Sequence, residues 1–212
     1  SFFVSELKKQ VESRFGKRPP LPVRVQEIIA ERRLSRVAII QAQARCEGWE
    51  IEKVEYKFKK ELDGLFISGR IDCVEKNKTT GAVRVLDYKT SNTVKEPASQ
   101  HWKIFREERN EEVVRPYAQF NVNEKTYHWT NLQLPLYAWA MEEEFGPEIS
   151  VGYFNLPTLG TDTGIASLEP FDRGIMEAAL ACARGVVADL KTGRFWPPTQ
   201  QVKYDDFADI LF

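Results

Sequence analysis

Apolar residues recur along this chain with two different periods, and the switches between them mark out the elements. From about Val25 to Glu47, Ile28, Ile29, Val37, Ile40 and Ala44 follow helical spacing, and Gly48 is a natural stop. The next runs alternate in the manner of strands: roughly Glu50–Lys60, Leu65–Val74 and Ala82–Tyr88. Leu62-Asp63-Gly64 and Thr79-Thr80-Gly81 join them, which predicts an antiparallel meander. Helical signals return at Thr130-Asn131-Leu132-Gln133, which matches a capping box, and run to Phe145-Gly146-Pro147. Pro135 disfavours helical geometry at Leu134 and offers a second place for that helix to begin. Ile149–Leu156 predicts a fourth strand. Phe171–Leu190 predicts an amphipathic helix, stopped at Gly193 and by Pro197-Pro198.

The resulting order is helix, three strands, helix, strand, helix. It predicts an α/β fold with a mixed central β-sheet and helices packed on it. Residues 1–24 read as an N-terminal extension of a chain excised from something longer, with a boundary near Lys17-Arg18-Pro19-Pro20. Residues 25–212 read as one domain. Within it, 91–130 has the weakest pattern, and such a length suggests an insertion or lid.

Composition adds exclusions. The chain is 42% hydrophobic and 29% charged, ordinary for a globular protein, with a net charge of −1. That balance does not advertise a nucleic-acid binder, although a neutral total is compatible with a local basic patch. Cys46, Cys73 and Cys182 are odd in number and far apart, giving neither a disulfide framework nor a metal knuckle. They suggest a reducing, cytoplasmic setting. No apolar run is long enough to span a membrane, and no membrane partner is expected.

The chemistry concentrates in one hairpin. Folding the chain about Thr79/Thr80 sets Asp72 almost opposite Asp87, and Lys89, two residues on, shares the face of Asp87. Two carboxylates and an ammonium on an apolar sheet are costly to bury without a cation and well suited to holding one. A hard divalent ion would find oxygens at Asp72, at Asp87 and at the backbone carbonyl of Tyr88. Lys89 would then stand beside an attacked phosphorus and stabilise developing charge. The bland alternative is an exposed Asp87–Lys89 ion pair of no consequence.

Gly69-x-x-Asp72, then Asp87-Tyr88-Lys89-Thr90, then Gln133-x-x-x-Tyr137 resembles the RecB-like branch of the PD-(D/E)XK nuclease superfamily. The tail from Gly193-Arg194-Phe195-Trp196-Pro197-Pro198 to Phe212 looks like the end of the nuclease domain in AddB-type helicase–nuclease proteins. The resemblance covers roughly residues 25 to 212 and implies a restriction-endonuclease-like core. It implies Asp72 and Asp87 as metal ligands, Lys89 as the catalytic lysine, and Gln133 and Tyr137 contacting DNA or orienting the site. The implied activity is Mg²⁺- or Mn²⁺-dependent cleavage of DNA phosphodiesters. The implied setting is an exonuclease in repair or recombination, working beside a helicase domain or subunit.

Two departures from that pattern stand out. Many RecB-like domains carry a histidine on an upstream helix as a further ligand. Here both histidines, His101 and His128, follow the lysine and read as loop residues. That position is either absent or in a missing N-terminal segment, and Glu27 or Glu31 on the first helix could substitute. AddB-type domains often hold an iron–sulfur cluster, but none of the three cysteines has that spacing, so no cluster is expected.

Two further readings stay open: a nuclease-fold module that binds nucleic acid or protein without cutting, and a restriction- or resolvase-type endonuclease, which Gln133 and Tyr137 fit poorly. The aromatics from Trp102 to Trp129 are expected either as base-stacking platforms or as a satellite core. Lys95, Lys103, Arg106 and Arg109 offer one reading, a track for phosphates, but Glu107, Glu108, Glu111 and Glu112 beside them favour a mixed solvated face. Cys73 is expected as a small core residue facing away from Asp72.

Overall fold

The computed structural model describes residues 2–106, 114–158 and 162–194. Two helices open the chain, α1 (Phe2–Phe15) and α2 (Leu21–Cys46). Strands β1 (Trp49–Leu62), β2 (Leu65–Asn77) and β3 (Val83–Lys89) follow as the meander that the alternation predicts. Next come the short helix α3 (Pro97–His101), β4 (Trp102–Ile104), a single 3-10 turn at Pro116–Ala118, β5 (Gln119–Val122) and β6 (Lys125–Trp129). Helix α4 (Gln133–Phe145), β7 (Ile149–Asn155), β8 (Gly164–Ser167) and α5 (Arg173–Lys191) complete the fold.

The main sheet has the order β1-β2-β3-β7-β8. Only β3 and β7 run parallel, and the chain between them is long enough to cross over. This is the expected mixed central sheet flanked by helices. Two tight turns fix the meander's register. Asp63 and Gly64 both take positive φ, 47° and 78°, as a two-residue hairpin turn demands. At the second turn the Asn77 side chain accepts from the backbone N–H groups of Thr79 and Thr80.

Each face of the sheet has its own core. On one side Val37 and Ile40 of α2 cover Cys73, Leu86 and Phe154. On the other, α4 and α5 bury Val74, Val85, Val151 and Tyr153 beneath Leu134, Met141, Ala179 and Ala183. Cys73 therefore does face away from the Asp87 side, and burial pushes its thiol up to about 11.

The stretch 91–130 is more ordered than its pattern suggests. Strands β4, β6 and β5 form a second, three-stranded sheet. Phe120 stacks on Trp129 at 4.4 Å and Trp102 meets both edge-on, all three buried in the main core. They are part of the main core, neither open stacking platforms nor a separate satellite. Tyr117 docks this sheet on α5: its ring fills the space where a side chain at Gly185 would project, and its hydroxyl donates to Asp189 at 2.8 Å. Residues 107–113, and with them Arg109 and its acidic neighbours, lie outside the described residues, as does the tail from Phe195.

Candidate active site

Strand β3 is interior to the sheet, so its alternation aims Val85, Asp87 and Lys89 at the α4 side. Asp87 is only 5% exposed, and the Lys89 ammonium lies 2.6 Å from its Oδ2. That removes the exposed ion pair as an explanation: a carboxylate buried this far needs its partners. Burial pushes its carboxyl up from the ordinary range, Lys89 opposes the shift, and Asp72 adds to it.

Asp72 lies one step beyond the last paired residues of β2 and β3, Cys73 and Leu86, which sets it opposite Asp87. There the ladder opens, and the Asp72 Oδ2 takes the backbone N–H of Tyr88 at 2.8 Å. The N–H and C=O of one strand residue leave the same edge, so the Tyr88 carbonyl is directed toward this opening as well. Two carboxylates and a backbone carbonyl are hard oxygen donors, and as a chemical set they fit a divalent cation such as Mg²⁺ or Mn²⁺. Among the described residues no group of three or more His, Cys, Asp or Glu side chains gathers here or elsewhere. Neither Glu27 nor Glu31 joins the pair, because α2 packs on the opposite face of the sheet.

Helix α4 supplies the rest. The Gln133 Nε2 donates to Asp87 Oδ1 at 2.8 Å and to the Tyr137 hydroxyl at 3.0 Å. Its Oε1 accepts from Lys89 at 3.4 Å, and the Tyr137 hydroxyl donates to the Arg70 carbonyl at 2.9 Å. One amide thus ties the acid to the base, and the phenol one turn later ties both to β2.

The expected capping box does not form, because the Gln133 side chain is committed to Asp87. Asn131 takes over: its Oδ1 accepts from the backbone N–H of Gln133 at 2.8 Å. The next orphan donor, Leu134 N–H, goes to His101 Nε2 at 3.2 Å. Pro135 sits in the first turn, where its missing N–H costs nothing.

His101 is therefore no loop residue. It ends α3, is fully buried, and places Nδ1 2.9 Å from the Pro97 carbonyl and 3.3 Å from the Tyr153 hydroxyl. Nε2 must be the unprotonated nitrogen, since it accepts. Burial holds the ring neutral by lowering its pKa to about 4. Tyr153 in turn floors the site, with Lys89 4.7 Å from its ring centre.

Other supports were not legible beforehand. A Cβ at Gly69 would lie 2.7 Å from the Phe58 ring, so this glycine makes room for Phe58, which packs edge-on against Tyr137. The buried Asn155 clasps the backbone of Lys95 through both amide atoms. From α2, Arg33 donates to the Thr90 carbonyl at 2.8 Å, just past Lys89. The Asn155 and Arg33 contacts join residues 60 and 57 apart, and no local pattern announces them.

No curated protein matches this chain in sequence. Among solved structures, a protein from Eubacterium rectale, named provisionally as an exonuclease, aligns with 98% of this chain and 74% of its own. Its TM-score is 0.48 at 12% identity. A protein designated SSO0001 aligns with 98% of this chain and 84% of its own, with a TM-score of 0.35 and 17% identity. The family model of the PD-(D/E)XK nuclease superfamily matches residues 4–203, nearly the whole chain and every element that carries the site, and the chain belongs to that superfamily.

Proposed function

We propose that this protein is a metal-dependent deoxyribonuclease of the RecB-like branch, hydrolysing DNA phosphodiester bonds. One observation carries the reading: Asp72 and Asp87 face each other from adjacent strands, Lys89 and Gln133 both reach Asp87, and Tyr137 backs Gln133. Asp72, Asp87 and the Tyr88 carbonyl would hold the Mg²⁺ or Mn²⁺. Bound there, such an ion supplies Lewis acidity and a water of lowered pKa. Lys89, beside Asp87, would carry its positive charge toward the non-bridging oxygens of the scissile phosphate. Gln133 keeps hold of Asp87 meanwhile and limits its movement. Exonuclease action in repair or recombination, beside a helicase domain or subunit, is what the RecB-like and AddB-type motifs add to this proposal.

The test is cleavage of linear and circular DNA, single- and double-stranded, with Mn²⁺ and then Mg²⁺, beside Lys89→Ala and an EDTA control. Metal-dependent loss of linear substrate alone, absent in the variant, is the expected result. Cutting of closed circles would show an endonuclease instead.

A second reading has its own observation. Both oxygens of Asp87 are already engaged, by Lys89 and Gln133, and no third ligand side chain joins among the described residues. A module that binds nucleic acid or protein without cutting would look the same. A folded chain that neither binds Mn²⁺ nor cuts would favour it.

A further inference from the structure

Arg33 projects from α2 one turn before Val37, on the side of the helix that packs on the sheet. Among the described residues its guanidinium partners no carboxylate and goes instead to the oxygens of neutral groups. Nη2 donates to the Thr90 carbonyl at 2.8 Å and to Thr158 Oγ1 at 3.2 Å, while Nε is buried with no acceptor.

Thr90 and Thr158 lie just past the ends of β3 and β7, which pair in parallel as far as Lys89 and Asn155. These two exits are stitched together at three further points. The Leu156 N–H donates to the Lys89 carbonyl at 2.8 Å, Thr158 Oγ1 donates to Asn92 Oδ1 at 3.0 Å, and Asn155 holds both backbone atoms of Lys95. Thr158 accepts from Arg33 and donates to Asn92, so one guanidinium nitrogen fastens both exits to the helix.

We infer that Arg33 is a positioning residue for Lys89: from the far face of the sheet it clamps the exits of β3 and β7, and so keeps the Lys89 ammonium beside Asp87 and Gln133. The inference rests on the nuclease reading for what Lys89 does, but the clamp is a claim about the folded chain itself.

Anchoring the helix does not by itself call for this arrangement. A guanidinium drawn partly out of water with one donor unpartnered costs stability, and an apolar side chain packed like Val37 or Ile40 would hold α2 without that penalty. What an apolar side chain lacks is the ability to bind acceptors on two separate segments, which the two N–H groups of Nη2 supply. Lys89 needs a fixture of this kind because it is the last residue of β3 and carries a flexible four-carbon stem. Its Nζ lies 2.6 Å from Asp87 Oδ2 and 3.4 Å from Gln133 Oε1. Misplacing a reacting group by about 1 Å is enough to lower a rate by roughly two orders of magnitude.

The test compares the full chain with Arg33→Met, Arg33→Lys and, as control, Arg32→Met at an exposed position of the same helix. Amide hydrogen exchange without metal is read across 89–95 and across α5, which reports the rest of the fold. Steady-state kcat and KM are read on a DNA oligonucleotide with Mn²⁺. Arg33→Met should speed exchange across 89–95 roughly tenfold and leave α5 within about twofold, because bonds from a charged donor to that segment alone are lost. It should lower kcat roughly 10- to 100-fold with KM within about twofold. Arg33→Lys should recover part of both losses, since an ammonium meets the same acceptors as a point charge. Exchange across 89–95 that stays at the parent's rate, or that rises equally in α5, would overturn the clamp. The same losses in Arg32→Met would overturn it too. An unchanged kcat in Arg33→Met, beside a parent that cuts, would reduce Arg33 to an anchor of α2. A parent that cuts nothing, while 89–95 loosens as stated, sinks the nuclease reading and upholds the clamp.

Discussion

Two carboxylates are buried in the main sheet, one under each face, and their surroundings differ in an instructive way. Glu75 lies on the α2 side, 1% exposed. Arg84 stands directly opposite, with Nε 2.6 Å from its Oε2, and Gln41 of α2 donates to Oε1 at 3.0 Å. The Arg84 guanidinium is itself capped by the Trp49 ring at 3.9 Å. Asp87, on the α4 side, also has a cation on one oxygen and a glutamine on the other. Its cation, however, is a lysine whose side chain is 29% exposed, and a second carboxylate faces it from Asp72. A planar guanidinium pressed under an indole is a fixed partner; an ammonium on a four-carbon stem is an exchangeable one. The first arrangement closes a core, whereas the second can give up its lysine to another cation or to a phosphate.

The largest effects should separate the two carboxylates by what they break. Asp87→Ala or Asp72→Ala should lower metal-dependent cleavage by a factor of roughly 10² to 10³ or more, the order seen when a group stabilising the transition state is removed. The melting temperature should stay within a few degrees of the parent, as measured by thermal circular dichroism. Glu75→Ala should do the reverse. Removing one member of a buried pair leaves Arg84 uncompensated and costs about 3–5 kcal/mol of stability. Cleavage per folded molecule should survive, read from denaturant unfolding beside activity at a temperature where the variant is folded. Equal damage to fold and cleavage in both variants would erase the distinction.

His101 tests whether the Asp87 side depends on a neutral support. Replacing it with Leu leaves the Leu134 N–H without its acceptor and should cost about 1–3 kcal/mol above neutral pH. Acid should shrink that difference. The folded-state pKa is lowered to about 4 against an ordinary 6.5, so the unfolded chain binds more protons in this window. The stability His101 contributes is present above about 6.5 and is lost as pH falls through about 4, by about 3 kcal/mol in all. Unfolding curves of parent and variant should therefore converge as the pH falls. A gap that stays constant from pH 7 to 4 would mean that the imidazole is not held neutral.

Much of the Asp87 side was legible because strands and helices encode position simply. A turn centred on Thr79/Thr80 fixes which residues of the flanking strands oppose, and that alone brings Asp72 to Asp87. A four-residue spacing on a helix brings Gln133 to Tyr137. The mixed sheet followed from the alternation of longer elements. Strands of three to five residues, such as β4, β5, β6 and β8, complete too few alternations to show a period. Helix α1 buries none of its residues, so no apolar stripe marks it. The capping box misled for a different reason: Thr130 and Gln133 match it locally, but Asp87, forty-six residues earlier, competes for the glutamine and wins. His101 could not be placed at all without knowing that α3 ends against α4.

The smallest effect decides what Tyr137 is for. Its hydroxyl takes a hydrogen from Gln133 and gives one to the Arg70 carbonyl, and it sits 9% exposed with its ring edge-on to Phe58. Tyr137→Phe keeps the ring packing and deletes only these two bonds, so stability should fall by about 0.5–1.5 kcal/mol per net bond lost. If the phenol orients the site, freeing one side of the Gln133 amide should lower kcat several-fold and leave KM for a DNA oligonucleotide nearly unchanged. If it touches DNA instead, KM should rise with kcat little altered. Its near-complete burial and its use of both hydrogen-bonding roles within the protein favour the first outcome. A clean rise in KM would move Tyr137 from the scaffold of Asp87 to the surface that meets the substrate, and would leave Gln133 alone on α4 to hold Asp87 as Gln41 holds Glu75.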